Sequence, residues 1–208
     1  MMRALIVYCH PRDDSFTAAV RDAVLEELAA SGAEIRLQDL YKMKFDPVMG
    51  AQEHRDYEDE KKNQMPVGAE IVDLQWCDTL IFVYPTWWYG LPAMLKGWLD
   101  RVLVPGVAFA MPDAQGNIKP CMTHITRLGV FTTCGASFWL TRFIGAPGKR
   151  TLMRGLRLLC AKRCRTVFAA HYLMDSSTDD SRSAHLMRVA AKADKLIGAR
   201  PVRAEAVA

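Results

Sequence analysis

The sequence predicts an α/β protein built on a doubly wound, five-stranded parallel sheet in the order 2-1-3-4-5. Three observations carry this. Short apolar, β-branched runs alternate with amphipathic helical stretches along the chain, the pattern of a parallel sheet with helices on both faces. The runs are apolar throughout rather than at every second position, as in strands buried on both sides. Chemically loaded turns follow the first, third and fourth runs, at the strand ends where open α/β sheets place their ligands.

Arg3 to Cys9 (RALIVYC) reads as the first strand, central and buried. The turn His10-Pro11-Arg12-Asp13-Asp14-Ser15 follows, with Ser15 placed to cap a helix from Phe16 to Ser31. Phe16, Val20, Ala23, Val24 and Leu28 share one face of that helix, and Gly32 stops it. Glu34 to Leu40 is the second strand. Residues 41–65 are a long polar excursion carrying the charge run HRDYEDEKK at 54–62. Its length suggests a functional or mobile segment, its charges a solvated face. Val67 to Trp76 is a helix that leads to the third strand, Thr79 to Tyr84, which Pro85 ends.

Thr86-Trp87-Trp88-Tyr89-Gly90 is then a short loop with three large aromatics, and Pro92 opens a helix. Leu91, Met94, Leu95, Trp98, Leu99, Val102 and Leu103 recur there at helical spacing. Residues 106–119 are loop-like, with turn signals at Pro112-Asp113 and Gln115-Gly116-Asn117. Arg127 to Thr133 is the fourth strand, running into Cys134-Gly135-Ala136-Ser137. Gly148 to Cys160 is a helix with a buried stripe (Leu152, Leu156, Leu159) and an exposed one (Arg150, Arg154, Arg157). Arg165 to Tyr172 is the fifth strand and Asp179 to Ile197 the last helix. One domain over residues 1–197 is expected, with 198–208 a flexible tail.

With 208 residues, half of them apolar, the chain is sized for one soluble domain. Its opening apolar run is shorter than the ~7 residues of a secretion signal core, and no run nears the ~18 of a membrane span. A cytoplasmic protein without membrane insertion is expected. Its six cysteines are then expected to be reduced thiols. Cys160 and Cys164 are the closest pair, but no second pair or His-x-His partner completes a zinc site, so no metal is expected.

The net charge of +4 is unevenly spread. Residues 1–113 hold 11 Lys/Arg against 18 Asp/Glu, whereas residues 114–174 hold 10 Lys/Arg and no acid. Such a stretch suggests an anionic partner, either nucleic acid or the phosphates of a nucleotide cofactor. No recognition-helix or RNA-binding motif accompanies it, so nucleic acid is not expected.

The three turns after strands one, three and four would meet at one crevice. The first offers the Ser15 and Thr17 hydroxyls and the N–H groups of a helix start, which suit a phosphate. The second offers aromatic faces, which on their own serve a core cap as well as a stacked cofactor. The third offers small residues that let backbone N–H groups approach a ring edge. Together these describe a flavin nucleotide. Neither G-x-G-x-x-G after the first strand nor G-x-x-x-x-G-K-[ST] occurs, which argues against a dinucleotide fingerprint and a P-loop.

Four separated motifs occur in order: RALIVYCHPRDDSFT with the DLYKMKFDPV that follows, YPTWWYGLPAMLKGWLDRV, VPGVAFA and VFTTCG. Through them the chain, over residues 3 to 173, resembles the flavodoxin-fold NAD(P)H:quinone oxidoreductases, the group of DT-diaphorase and the bacterial modulators of drug activity. The resemblance implies a flavodoxin-like flavin-binding domain and an NAD(P)H dehydrogenase (quinone). Hydride would pass from NADPH or NADH through FAD, alternatively FMN, to a quinone or similar flat acceptor by a ping-pong mechanism. It places His10, Phe16 and Thr17 at the cofactor phosphates. Pro85, Thr86, Trp87, Trp88 and Tyr89 would wrap the isoalloxazine, with Thr132, Thr133, Cys134 and Gly135 at its other edge. Cys134 stands where the family has a glycine.

Trp88, Tyr89, Phe138 and Trp139 would form the substrate slot, and the family works as homodimers. Its downstream Tyr and His are not matched: Phe138 or Trp139 falls near the Tyr position and Ala146 at the His. No catalytic acid–base pair is therefore carried over. Arg142, Lys149 and Arg150 are the nearest cations that could offset the reduced flavin's charge. The same motifs fit a flavin-binding regulatory or ancillary protein of a transporter with weak or no turnover, and fit an acidic-faced electron carrier less well.

Overall fold

The computed structural model describes residues 1–111 and 116–198. The turn signals at Pro112-Asp113 and Gln115, and all of the expected tail beyond Gly198, lie outside the described residues. Five strands form one parallel sheet: β1 (Arg3–Tyr8), β2 (Glu34–Asp39), β3 (Thr79–Thr86), β4 (Arg127–Cys134) and β5 (Arg165–His171). Their order is β2-β1-β3-β4-β5, the doubly wound order the sequence predicts.

The sheet is covered on both faces. One face packs Leu5, Val7, Leu80, Phe82, Leu128 and Val130 against helices α2 (Gly68–Trp76) and α3 (Ala93–Val102). The other packs Ala4, Ile6, Tyr8, Ile81, Val83 and Phe131 against α1 (Phe16–Ala30) and, further along the chain, α5 (Asp179–Ile197). Because successive strand residues point to opposite faces, two buried faces require unbroken apolar runs. The central strands accordingly show no apolar–polar alternation, and Ala4 to Tyr8 and Leu80 to Tyr84 are all buried.

Several elements differ from expectation for identifiable reasons. β3 runs through Pro85 to Thr86 instead of ending at Tyr84. Its pairing with β1 stops at Tyr8↔Val83, while pairing with β4 continues to Thr86↔Cys134, so a residue without an N–H is accommodated past the last β1 rung. Pro92 caps α3 rather than occupying its first turn. The expected helix at 148–160 is irregular: one α-turn at Pro147–Arg150, a wide turn at Thr151–Gly155 and a tight one at Leu156–Leu159. Gly155 lies where the wide turn passes into the tight one, and Leu152 and Leu156 stay buried. Residues 106–120 contain a two-residue antiparallel ribbon, Phe109–Ala110 with Lys119–Pro120. The excursion at 41–65 carries a short helix, Ala51–Arg55. Among the described residues no helix is long and apolar enough to cross a membrane.

Candidate functional site

The carboxyl ends of the strands open into a cleft of about 1200 Å³. Ordinary small-molecule sites span ~300–1,000 Å³, so this one has room for a large ligand or for two stacked ones. The turns after β1, β3 and β4 converge on it as expected: His10, Ser15, Phe16 and Thr17 from the first, Pro85 to Tyr89 from the second, Thr133, Cys134 and Gly135 from the third.

The β1 turn builds one wall. Ser15 has extended backbone and its Oγ accepts the Ala18 N–H at 3.1 Å, which fixes where α1 begins. No acidic residue sits in the first turn of α1, so its positive end is not neutralised locally. Phe16 and Thr17 hold that end in the cleft wall. Thr17 Oγ1 and Thr133 Oγ1 share a buried hydrogen bond of 3.0 Å, joining the first turn to the third. His10 Nδ1 faces both the Arg12 carbonyl, at 3.0 Å, and the Arg12 N–H, at 3.1 Å. Burial lowers the His10 pKa, so the ring is neutral near neutral pH. Arg12 itself is held by Asp14 through bonds of 2.9 and 2.8 Å.

The aromatic wall is strained. Gly90 donates its N–H to the Trp87 carbonyl at 3.0 Å, closing a four-residue turn. Both central residues are left-handed, Trp88 at φ 47° and Tyr89 at φ 61°, as in a type I′ turn. Such turns favour Asn and Gly, and two bulky aromatics there cost about 1 kcal/mol or more each. Trp88 is 95 % exposed, so no packing within the chain offsets its strain. Strain retained at a cleft is a pointer to a ligand.

The third wall is made of small groups and hydroxyls. Thr86 Oγ1 and Thr132 Oγ1 hydrogen-bond at 2.8 Å, fixing the ends of β3 and β4. A Cβ at Gly135 would lie 3.0 Å from Oδ2 of Asp175, whose exposed side chain shares this wall. Ser137 Oγ accepts the Leu140 N–H at 3.2 Å and caps the short helix α4 (Phe138–Phe143). Beneath Cys134 lies a small cavity bordered by Tyr84, Tyr89, Thr132, Thr141 and Tyr172. Burial raises the pKa of Tyr84 and of Tyr172, so both keep their protons at neutral pH.

Not every expected residue lines the cleft. Thr132 faces the smaller cavity instead. Phe138 and Trp139 are exposed on α4 and outside the lining, which takes Leu140 from that helix. Arg142, Lys149 and Arg150 are not brought to it either: Lys149 Nζ lies 4.4 Å over the Phe168 ring, and Arg150 packs beside Gly145. The guanidinium in the cleft is that of Arg12. Sequence reasoning also missed Asp14, Met174 and Asp175 as lining residues. Extending the strand-end rule to the turn after β5 would have found the last two.

The sequence pattern of the flavodoxin-like fold family matches residues 2–196. An uncharacterised NAD(P)H oxidoreductase of Escherichia coli is 38% identical over 108 residues, 51% of this chain and 55% of its own length. A ribosyldihydronicotinamide dehydrogenase [quinone] of Rattus norvegicus is 35% identical over 158 residues, 67% of each chain. The chain thus spans between about half and two thirds of the length of these curated relatives. Among solved structures, an NAD(P)H:quinone oxidoreductase from Methanothermobacter marburgensis superposes with a TM-score of 0.80 at 27% identity, covering 94% of this chain and 98% of that one.

Proposed function

The chain belongs to the flavodoxin-like fold family, among its NAD(P)H and quinone oxidoreductases, and from that premise we propose that the cleft holds a flavin nucleotide and serves NAD(P)H-dependent reduction of a quinone or similarly flat acceptor. The observation that carries the proposal is the convergence of a helix N-terminus, a strained aromatic turn and a small-residue turn on one cleft. A phosphate, a flat ring and a polar ring edge need those three surfaces. A bound flavin supplies two-electron hydride transfer, with donor and acceptor using one slot in turn.

The residues have distinct roles in this reading. The N-terminal N–H groups of α1, with the Ser15 and Thr17 hydroxyls, hold phosphate, and His10 lies beside them in the lining. Pro85 to Tyr89 line the ring. The backbone at Thr133, Cys134 and Gly135 presents donors to its edge, and the Thr86–Thr132 bond keeps those two walls in register. Trp88 and Tyr89 stack the incoming substrate, with Leu140 at the edge of the slot. No Tyr/His relay is assigned; backbone N–H groups and the α1 dipole offset negative charge that develops on the ring. The cleft volume leaves room for an adenosine arm, which favours FAD over FMN. The donor is NADPH or NADH. The exposed Trp139 and Phe143 of α4 form an apolar surface beside the site that a second copy of the chain covers, giving a homodimer.

The test is the visible spectrum of the purified protein, followed anaerobically as NADPH is added. Flavin bands that bleach and return on adding a quinone are expected. Bands that persist under excess NADPH and NADH would make the protein a flavin-binding regulator. No flavin, and none taken up from added FAD or FMN, would sink the reading.

A further inference from the structure

Residues 114–174 hold 10 Lys/Arg and no acid, yet none of those cations lines the cleft. The anionic partner that such a stretch suggests belongs elsewhere on the surface. Arg154, Arg157 and Leu158 stand at i, i+3 and i+4 in the irregular helical segment, the spacing that places side chains on one face. Arg154 is exposed, and Leu158 is 72 % exposed. Arg157 Nη2 donates to the Lys162 carbonyl at 2.9 Å, which ties the following turn to this face. Lys162 and Arg163 are exposed on that turn. Backbone bonds fix it in place. The Cys164 N–H donates to the Ala161 carbonyl at 2.9 Å, the Ala161 N–H to the Ile125 carbonyl at 3.0 Å, and the Arg165 N–H to the Thr126 carbonyl at 2.8 Å. The ribbon strand Lys119–Pro120 packs beside Leu156–Leu159 and adds the exposed Ile118 and Lys119.

These charges are not balanced within the chain. Arg127, in the same acid-free stretch, is held by Asp78 at 3.5 Å, whereas Arg154, Lys162 and Arg163 have no carboxylate partner among the described residues. A surface of one sign attracts anions. The aliphatic side chains set among the cations decide which kind. Phosphates of a nucleic acid would meet the charges, but they give Leu158 and Ile118 nothing to pack on. Residues 147–165 also contain no aromatic side chain on which a base could stack. A bilayer of anionic lipid answers both features. Its headgroup phosphates face the cations, and the apolar layer beneath them receives Leu158 and Ile118. The long Lys and Arg stems can lie along that layer while their charges stay among the headgroups.

We propose that this surface docks the chain reversibly on a membrane of anionic phospholipid. Lys119, Arg154, Arg157, Lys162 and Arg163 face the headgroups, and Leu158 with Ile118 reach below them. Each Lys or Arg close to such a membrane strengthens binding about fivefold. Together these cations give an attachment that is firm at low ionic strength and released by salt. The docking is peripheral, since among the described residues no helix is long and apolar enough to cross a bilayer. It needs nothing from the cleft, whose lining shares no residue with this surface.

The experiment sediments the full-length chain with vesicles of equal parts phosphatidylcholine and phosphatidylglycerol, or of phosphatidylcholine alone. The chain should pellet with the first at low salt, leave it at high salt, and stay in solution with the second. Arg154→Glu combined with Lys162→Glu should weaken binding at least about twentyfold. Leu158→Ser should weaken it about fivefold at unchanged charge. Urea midpoints near that of the parent show that these exposed positions were changed without loss of the fold. No pelleting with the anionic vesicles, equal pelleting with both kinds, or parent-like binding by the double variant would each overturn the proposal. Parent-like binding by Leu158→Ser would remove the apolar contact and with it the case for a bilayer. Tighter binding to duplex or single-stranded DNA than to the anionic vesicles at the same salt, lost in the double variant, would assign the surface to nucleic acid instead.

Discussion

Two connections leave the carboxyl end of the sheet and end up opposite in character. The excursion after β2 is long and densely charged, the features that suggest a working or mobile loop. It is instead clamped. Arg101 Nε donates to both Glu53 oxygens at 2.8 and 3.1 Å, with each side chain 10 % exposed, and Arg101 Nη1 also donates to the Asp46 carbonyl. Asn63 Nδ2 donates to the Tyr57 and Pro105 carbonyls at 2.8 and 3.1 Å. The turn after β3 is four residues long, and its two central residues sit in strained backbone with Trp88 pointing to solvent. What separates a structural loop from a candidate functional one here is whether the segment is anchored to the rest of the chain. Length and charge density do not separate them.

The sharpest way to break this comparison is at Gly97. A Cβ there would overlap the Pro47 backbone, so the clamped segment depends on a glycine in the middle of α3. Gly97→Ala should cost about 3 kcal/mol, read as a lower midpoint in urea with unchanged slope. An unaltered midpoint would mean that the excursion is not docked. Glu53→Gln comes next. It leaves the Arg101 charge largely buried without its carboxylate, for a loss of about 2 kcal/mol. Equal stability of Glu53→Gln and the parent would reduce the clamp to a surface ion pair.

Behind the α1 wall of the cleft lies a third kind of packing. The Phe16 ring contacts both His171 and His185 at centroid distances of 5.3 and 5.9 Å, and among the described residues neither ring nitrogen of His185 has a hydrogen-bond partner. Burial, then the neighbouring His171, lowers the His185 pKa from 6.5 to about 4. Burial lowers that of His171 as well. Arg188 faces both rings and Arg182 faces His171, so nearby charge is positive. Since the unfolded chain binds the proton more readily, the neutral pair stabilises the fold fully above pH 6.5. That contribution is lost as pH falls toward about 4. The expected slope is about 1.4 kcal/mol per pH unit for His185 in that window. Urea midpoints across it should fall with pH in the parent and more shallowly in His185→Phe. Parallel curves would mean that His185 does not titrate with folding.

Much of this was readable in the chain. β1, α1 and α5 follow from apolar runs and helical stripes, with Ser15 and Gly32 bounding α1, because their signals are local. The convergence of the three turns follows from strand order alone. What escaped depends on contacts far apart in sequence. Pro85 continues β3 only because β1 has ended beside it. Arg101 and Glu53 look like two surface charges until residues 48 apart are brought together. Asp175 enters the cleft from a turn that carries no motif. The Cys160–Cys164 spacing was visible, but the inward turn of both thiols is set by backbone bonds to Ile125 and Thr126.

The smallest stability effect bears most directly on the comparison. If the strain of the aromatic turn serves ligand binding, removing it should improve the fold and weaken the site. Trp88→Asn tests both at once. Asn tolerates the left-handed conformation at the first central position of a type I′ turn, and Trp88 at 95 % exposure gives up almost no packing. Stability should therefore rise by about 0.5 kcal/mol, a change few surface substitutions produce. Under the proposed reaction the same variant should raise the KM for quinone, because an aromatic face is lost from the slot, while flavin content stays near that of the parent. A variant that gains stability and keeps its KM would leave the strain at Trp88 without a function. One that loses stability would mean that Trp88 packs on something outside this chain, and the partner subunit is then the first surface to examine.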